Sequence, residues 1–130
     1  MAESSAAYHE PYDLLSGESR DTHRALTSIQ EELEAIDWYQ QRAEVAGDGE
    51  LKEILLHNRS EEMEHACMLL EWLRRRSPDL AERARTYLFT EGSITAIEAA
   101  AQAGKGAGGA PAVPAAAGGT LGIGSLKGTV

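Results

Sequence analysis

The chain has 130 residues, of which 42% are hydrophobic, and these values are typical of a single soluble domain. It contains no apolar run long enough to cross a bilayer, and its single cysteine, Cys67, excludes an internal disulfide. Residues 1–98 hold all 21 acidic residues against 10 basic ones, and the whole chain has a formal net charge of −9. A surface this acidic repels phosphates, so we expect no nucleic-acid partner and no membrane partner.

The residues at the amino terminus, 1–18, mix small and polar side chains with Pro11 and Gly17 and have no sustained periodicity. We therefore expect them to form a flexible arm. The segment also lacks the basic start and the apolar stretch of a secretory signal, so we expect a cytoplasmic protein.

Two long helices are predicted next, the first over residues 19–46 and the second over residues 49–76. Gly47 ends the first helix, and Asp48 is suited to cap the second. Three consecutive arginines close the second helix against its dipole, and Pro78 prevents its continuation. Because so few residues separate the two helices, they must fold back on each other as an antiparallel hairpin.

Shorter elements are predicted after the hairpin. One helix should cover about residues 79–89 and another about residues 94–102, so that residues 19–102 form the helical domain. Residues 103–119 consist almost entirely of Gly, Ala and Pro, which is typical of a flexible linker. Large aliphatic side chains return in the last segment, residues 120–130.

Polar residues interrupt the apolar seam of the second long helix. Steps of three and four residues give a heptad pattern at Leu51, Leu55, Asn58, Glu62, His65, Leu69 and Trp72. A carboxylate buried without a partner is costly, so Glu62 needs a compensating group. Glu32 lies at the edge of the seam of the first helix and can face Glu62 and His65 across the hairpin. Taken singly, Glu32 fits a flanking salt bridge and His65 a hydrogen-bonded core histidine, but their combination is more informative.

Glu32, Glu62 and His65 form half of a known ligand set. Ferritin-like di-iron bundles take one Glu from each of two helices and a Glu-x-x-His motif from each of the other two. A two-fold dimer would complete both the four-helix bundle and the ligand set, with two iron ions at each dimer interface. From spacing alone, a helical dimer whose buried polar residues determine its register is an equally good interpretation.

Further acidic residues flank this group. Glu31 and Glu34 lie on the first helix, and a strip on the second consists of His57, Glu61 and Glu64. Either set is suited to attract or relay Fe²⁺, and a solvated acidic face accounts for each equally well. Tyr39 lies on the side of Glu32, where it is suited to hydrogen-bond a ligand or donate an electron, although tyrosine also simply packs well.

Three stretches of this sequence resemble encapsulated ferritins, the encapsulin-associated branch of the ferritin-like proteins: EELEAIDWYQQR, HNRSEEMEHACMLLEWLRRR and RTYLFTEGSITAIEAA. The resemblance covers most of residues 9–100. It implies an all-α fold, half a ferritin-like bundle with short carboxyl-terminal helices, which dimerises and then assembles into an annular decamer. It also implies a ferroxidase centre at Glu32, Glu62 and His65. A metal uptake site is implied at Glu31 and Glu34, and a peripheral site at His57, Glu61 and Glu64.

The segment LGIGSLKG, residues 121–128, resembles the peptide that targets cargo proteins to encapsulin shells. Leu121, Ile123 and Leu126 can fill small apolar pockets, while the glycines let the backbone lie close to a partner. The linker before it gives the reach that tethering requires. A frayed terminus is the alternative interpretation.

The resemblance implies a function as well as a fold. It points to a ferroxidase that oxidises Fe(II) to Fe(III) with dioxygen inside an encapsulin nanocompartment, whose shell stores the iron mineral. The chain is too short to be a conventional ferritin subunit, which fits this division of labour. A non-catalytic metal-binding or structural cargo module is the alternative.

Overall fold

The computed structural model of the protein describes residues 8–106. Within that range the regular structure is helical throughout, as the sequence predicts. A 3₁₀ helix is followed by four α-helices, here α1 to α4, with the bounds Tyr12–Leu14, Gly17–Val45, Gly49–Arg76, Pro78–Tyr87 and Ile94–Gly106.

The helix α1 begins slightly earlier than predicted. The Ser16 hydroxyl accepts a hydrogen bond from the amide of Ser19 at 3.0 Å and so caps the helix at its first turn. Residues 8–15, expected to belong to a flexible arm, contact α1. The Arg20 guanidinium stacks over the Tyr12 ring at 3.8 Å and donates a hydrogen bond to the Tyr12 carbonyl at 2.7 Å. Within the segment 1–18, Tyr12 thus packs on α1, which begins at Gly17.

The helices α1 and α2 form the predicted antiparallel hairpin. Residues 46–48 connect them, and the Asp48 carboxylate accepts a hydrogen bond from the Leu51 amide at 2.8 Å at the start of α2. At the other end of α2, Glu71 pairs with Arg74 at 2.7 Å and with Arg75 at 2.8 Å. These two arginines lower the pKa of Glu71 to about 2.

The hairpin buries few of its own apolar side chains. In the described part of the chain, the buried hydrophobic residues are Ala25, Ala43 and Leu73. Large aliphatic side chains on both helices are exposed, among them Leu26, Leu33, Leu51, Ile54, Met63 and Met68. Two helices cannot cover each other's seams on all sides, so a broad apolar surface is left without a partner.

A second compact unit begins at Ser77. Ser77 caps α3 by accepting a hydrogen bond from the Leu80 amide at 3.1 Å, and Pro78 occupies the first turn. The chain then turns through Phe89 and Gly92, whose φ angles are 61° and 85°, before α4 begins. The helix α4 continues to Gly106, beyond the predicted end at residue 102.

The remainder of the predicted linker and the peptide 120–130 lie outside the described residues. None of the helices within residues 8–106 has both the length and the hydropathy that a membrane span requires.

Candidate metal centre

The hairpin brings Glu32 of α1 together with Glu62 and His65 of α2. The two residues of α2 are three positions apart and therefore share one face of the helix, and the antiparallel pairing places that face beside Glu32. One ligand atom from each of the three residues lies within 4.8 Å of the others. Among residues 8–106, this is the group of three His, Cys, Asp or Glu side chains that converges in this way.

His65 lies between the two carboxylates. Its Nδ1 atom is 3.2 Å from Oε2 of Glu62 and 3.5 Å from Oε2 of Glu32. The side chains of Glu32 and Glu62 are 23% and 22% exposed, whereas that of His65 is 42% exposed. The carboxylates are thus held between the helices, while the imidazole reaches the surface of the hairpin.

The charges of the three side chains are interdependent. The hydrogen bond with Glu62, together with partial burial, raises the pKa of Glu32, and the same bond lowers the pKa of Glu62. The hydrogen bond to Glu62 also raises the pKa of His65, with Glu32 adding a further attraction. In the absence of a cation, protons therefore relieve the repulsion between the two carboxylates, and a metal ion would take their place.

We expect metal binding to release protons from this group. The pKa values of Glu32 and His65 are both raised, so these residues retain protons to higher pH and must lose them when a cation binds. Addition of Co²⁺ at about pH 6.5, near the usual pKa of histidine, should acidify a weakly buffered solution. The exposed-surface variant Glu53→Ala should release protons like the parent. An equal release from His65→Ala would contradict the assignment of His65.

The accessory acidic residues do not converge as Glu32, Glu62 and His65 do in the described part of the chain. His57 Nε2 lies 3.1 Å from Oε1 of Glu61, but in the described structure Glu64 does not join them in a group of three ligands. Glu31 is exposed and Glu34 is half-buried, and neither belongs to such a group within residues 8–106. The structure thus brings together two members of the predicted peripheral site.

The aromatic residues near the end of α1 face an arginine. The Arg42 guanidinium carbon is 5.6 Å from the ring centre of Tyr39 and 6.0 Å from that of Trp38. Tyr39 is half-buried, and Trp38 is exposed. These contacts account for the packing of Tyr39.

Sequence reasoning missed one polar link across the hairpin. Arg59 of α2 donates a hydrogen bond to Oε1 of Gln40 on α1. The available signal was an arginine three residues before Glu62, next to Asn58 in the apolar seam, where a long cation must be either buried or paired.

Comparison with known proteins identifies the family. The sequence profile described as EncFtn-like matches residues 7–91, which is more than half of the chain. The chain belongs to the EncFtn-like family. This membership confirms the resemblance to encapsulated ferritins that the sequence motifs show.

Similar proteins cover different parts of the chain. A protein of Rhodospirillum rubrum named encapsulated ferritin-like protein is 59% identical over 98% of this chain and 93% of its own length. A ferritin-like protein of Thermotoga maritima is 57% identical over 70% of this chain and 80% of its own. The crystal structure of protein ne0167 from Nitrosomonas europaea has a TM-score of 0.66 and 55% identity, covering 68% of this chain and 97% of that protein. The last similarity agrees with the all-α fold.

Proposed function

We propose that this protein is a ferroxidase, which oxidises Fe(II) to Fe(III) with dioxygen at a di-iron centre formed across a dimer interface. The observation that carries the proposal is the convergence of Glu32, Glu62 and His65, whose ligand atoms lie within 4.8 Å of one another. Two carboxylates and one imidazole form a donor set that suits iron. Iron is the substrate in this reaction.

A two-fold dimer accounts for the remainder of the centre. One chain supplies two carboxylates and one imidazole, so two copies supply four carboxylates and two imidazoles. This is the ligand complement of ferritin-like di-iron bundles, in which each Glu-x-x-His motif and each lone Glu occurs twice. A set of this size holds two iron ions and leaves positions to which dioxygen or water can bind.

The exposed apolar surface of the hairpin supports the same arrangement. Leu33 is 55% exposed and Ile54 is 51% exposed, although both lie on the long helices that carry the ligands. Burial of the exposed half of such a side chain stabilises an assembly by roughly 1 kcal/mol. Pairing of two hairpins would therefore complete a four-helix bundle, and the family resemblance extends this to an annular decamer.

We expect the helical domain, residues 19–102, to be dimeric or larger when it is isolated. Addition of Fe²⁺ under anaerobic conditions should shift the domain toward larger species. A cation that bridges carboxylates from two chains stabilises the assembled form by mass action. Light scattering with and without metal measures the shift. A stable, metal-free monomer at micromolar concentration, unchanged by Fe²⁺, would contradict the shared centre.

The accessory residues fit supporting roles in the same reaction. Glu31 and Glu34 are suited to gather Fe²⁺ at the surface and pass it toward Glu32, because acidic groups raise the local concentration of cations. His57, Glu61 and Glu64 would bind metal at a peripheral position, and the approach of His57 Nε2 to within 3.1 Å of Glu61 supports this. Tyr39 would donate an electron or a hydrogen bond during reduction of dioxygen.

The cellular setting follows from the carboxyl-terminal segment. The Rhodospirillum rubrum relative carries the word encapsulated in its name and matches 98% of this chain. Residues 121–128 resemble an encapsulin-targeting peptide. The protein would thus act in the cytoplasm as cargo of an encapsulin nanocompartment, where it oxidises iron and the shell stores the mineral.

Oxidation of iron by the wild-type protein tests the proposal directly. The protein is loaded with Fe²⁺ without oxygen, oxygen is then added, and the ferric absorbance is followed against a protein-free solution. Faster ferric formation that saturates with the metal bound supports a ferroxidase. Metal binding with the rate of the protein-free solution would instead favour the alternative, a non-catalytic metal-binding or structural cargo module.

A further inference from the structure

A polar link joins α1 and α2 next to the candidate metal centre. Arg59 Nη1 donates a hydrogen bond to Gln40 Oε1, and Gln40 Nε2 donates one to Oε1 of Glu44 at 2.8 Å. Because the Gln40 nitrogen is engaged by Glu44, the amide oxygen is directed toward Arg59. Glu44 therefore orients the acceptor of the link.

The hydrogen bond between Arg59 and Gln40 holds α1 and α2 together at an energetic penalty. Arg59 is half-buried, and its Nε atom is buried without a hydrogen-bond partner in the structure. A buried donor without an acceptor is unfavourable, and an apolar residue of similar size would avoid that penalty. General stability therefore does not explain why an arginine occupies this position.

The position of the link relates it to the ligands. Arg59 lies three residues before Glu62, about one helical turn away on the same side of α2. Gln40 lies about two turns after Glu32 on α1. In an antiparallel hairpin, both displacements are toward the connecting loop at residues 46–48, so the link lies on the loop side of the ligands, about 4.5 Å from Glu62 along α2 and about 12 Å from Glu32 along α1.

The three ligands meet only if the two helices are in one register. His65 Nδ1 is 3.5 Å from the Glu32 carboxylate, and a slip of one helical turn would move these groups about 5.4 Å apart along the axis. Aliphatic seams repeat at every turn and discriminate weakly between neighbouring registers. A single polar pair forms in one register only, which is how buried polar residues specify alignment in coiled coils.

We propose that Arg59 is a positioning residue, which through its hydrogen bond to Gln40 holds α1 and α2 in the register that brings Glu32 to Glu62 and His65. It acts on the ligands by alignment and not by contact with the metal. This role rests on the proposed metal centre and identifies a further residue on which that centre depends.

Binding of Co²⁺ tests this role without requiring iron oxidation. Arg59→Met keeps a long side chain but removes the donor, and Gln40→Leu removes the acceptor. Each variant should bind Co²⁺ at least about tenfold more weakly than the parent, the loss typical when an outer support of a metal site is removed. The visible spectrum of bound Co²⁺, which depends on coordination geometry, should also change. Combining the two substitutions should add little, because both break the same bond.

Two matched controls isolate the link. Arg24→Met removes an exposed arginine that pairs with Asp21 at 2.7 Å on α1, and it should leave the affinity and spectrum of Co²⁺ unchanged. Arg59→Lys keeps a positive donor, so it should recover part of the affinity lost in Arg59→Met. Thermal unfolding of each metal-free variant measures stability separately.

The outcomes distinguish this role from general stabilisation. A lower melting temperature combined with parental Co²⁺ affinity and spectrum in Arg59→Met and Gln40→Leu would overturn the positioning role. If Arg59→Met fails to fold, Gln40→Leu and Arg59→Lys decide by the same criteria. If the parent binds Co²⁺ and the variants do not, the role stands even where the parent fails to oxidise iron, which would overturn only the ferroxidase. Failure of the parent to bind Co²⁺ would overturn the positioning role, and the iron-oxidation assay decides the ferroxidase separately.

Discussion

Replacement of Glu32, Glu62 or His65 by alanine should reduce iron oxidation by more than about a hundredfold, beyond the loss typical of residues that only support a ligand. Each substitution removes one of the three converging proposed ligands. In the proposed two-fold dimer, each change would occur twice. Initial rates of ferric formation after anaerobic loading measure the effect.

For the stability of two of these variants we expect no corresponding loss. Glu32 and Glu62 are close enough for the hydrogen bond between them to raise the pKa of Glu32, so the metal-free protein contains two carboxyl groups that compete for a proton. Removal of one of them relieves that competition, and we expect the metal-free melting temperature of Glu32→Ala or Glu62→Ala to hold or rise. Loss of activity together with maintained stability separates a ligand from a residue needed only for folding.

A control with the same change of charge completes the test. Glu53→Ala also removes one carboxylate from α2, but Glu53 is exposed and lies outside the converging group. It should oxidise iron at the parental rate. Parental rates in all three of the variants Glu32→Ala, Glu62→Ala and His65→Ala as well would reject the assigned centre.

Deletion of residues 120–130 should abolish packaging into an encapsulin shell and leave iron oxidation by the unpackaged protein intact. The proposed ligands all lie between residues 32 and 65, so the deletion removes none of them. Co-expression with the shell protein, followed by purification of shells and assay of their cargo, measures packaging. Deletion variants that lose oxidation in free solution would contradict the separation of chemistry from targeting.

Single substitutions within the peptide sharpen this result. Burial of an aliphatic side chain contributes about 1.5–3 kcal/mol, so Leu121, Ile123 and Leu126 should supply most of the affinity. Leu126→Asp should reduce packaging severely, because it also places a charge in an apolar pocket. Lys127→Ala, the neighbouring control, should have a small effect. Equal packaging of Leu126→Asp and the parent would remove the shell from the proposed function.

Much of the local structure could be predicted from the sequence. The bounds of α2, Gly49 to Arg76, agree with the prediction because a capping aspartate and a terminal run of arginines are local signals. The other ends shifted by a few residues. Ser16 proved to be the cap of α1, and α4 extends to Gly106.

The sequence by itself determined the two long helices, their antiparallel pairing and the residue types of the candidate centre, because periodicity, caps and loop length act over a few neighbouring residues. The sequence also predicted that Glu32 can face Glu62 and His65, but the actual distances and the behaviour of the other acidic residues were decided by the tertiary structure. Glu32, Glu62 and His65 meet, whereas within residues 8–106 Glu31, Glu34 and Glu64 join no comparable group. It also revealed the link between Arg59 and Gln40, which are 19 residues apart. The physical reason is that helical periodicity specifies the face of each side chain, while distances across the hairpin depend on register and packing.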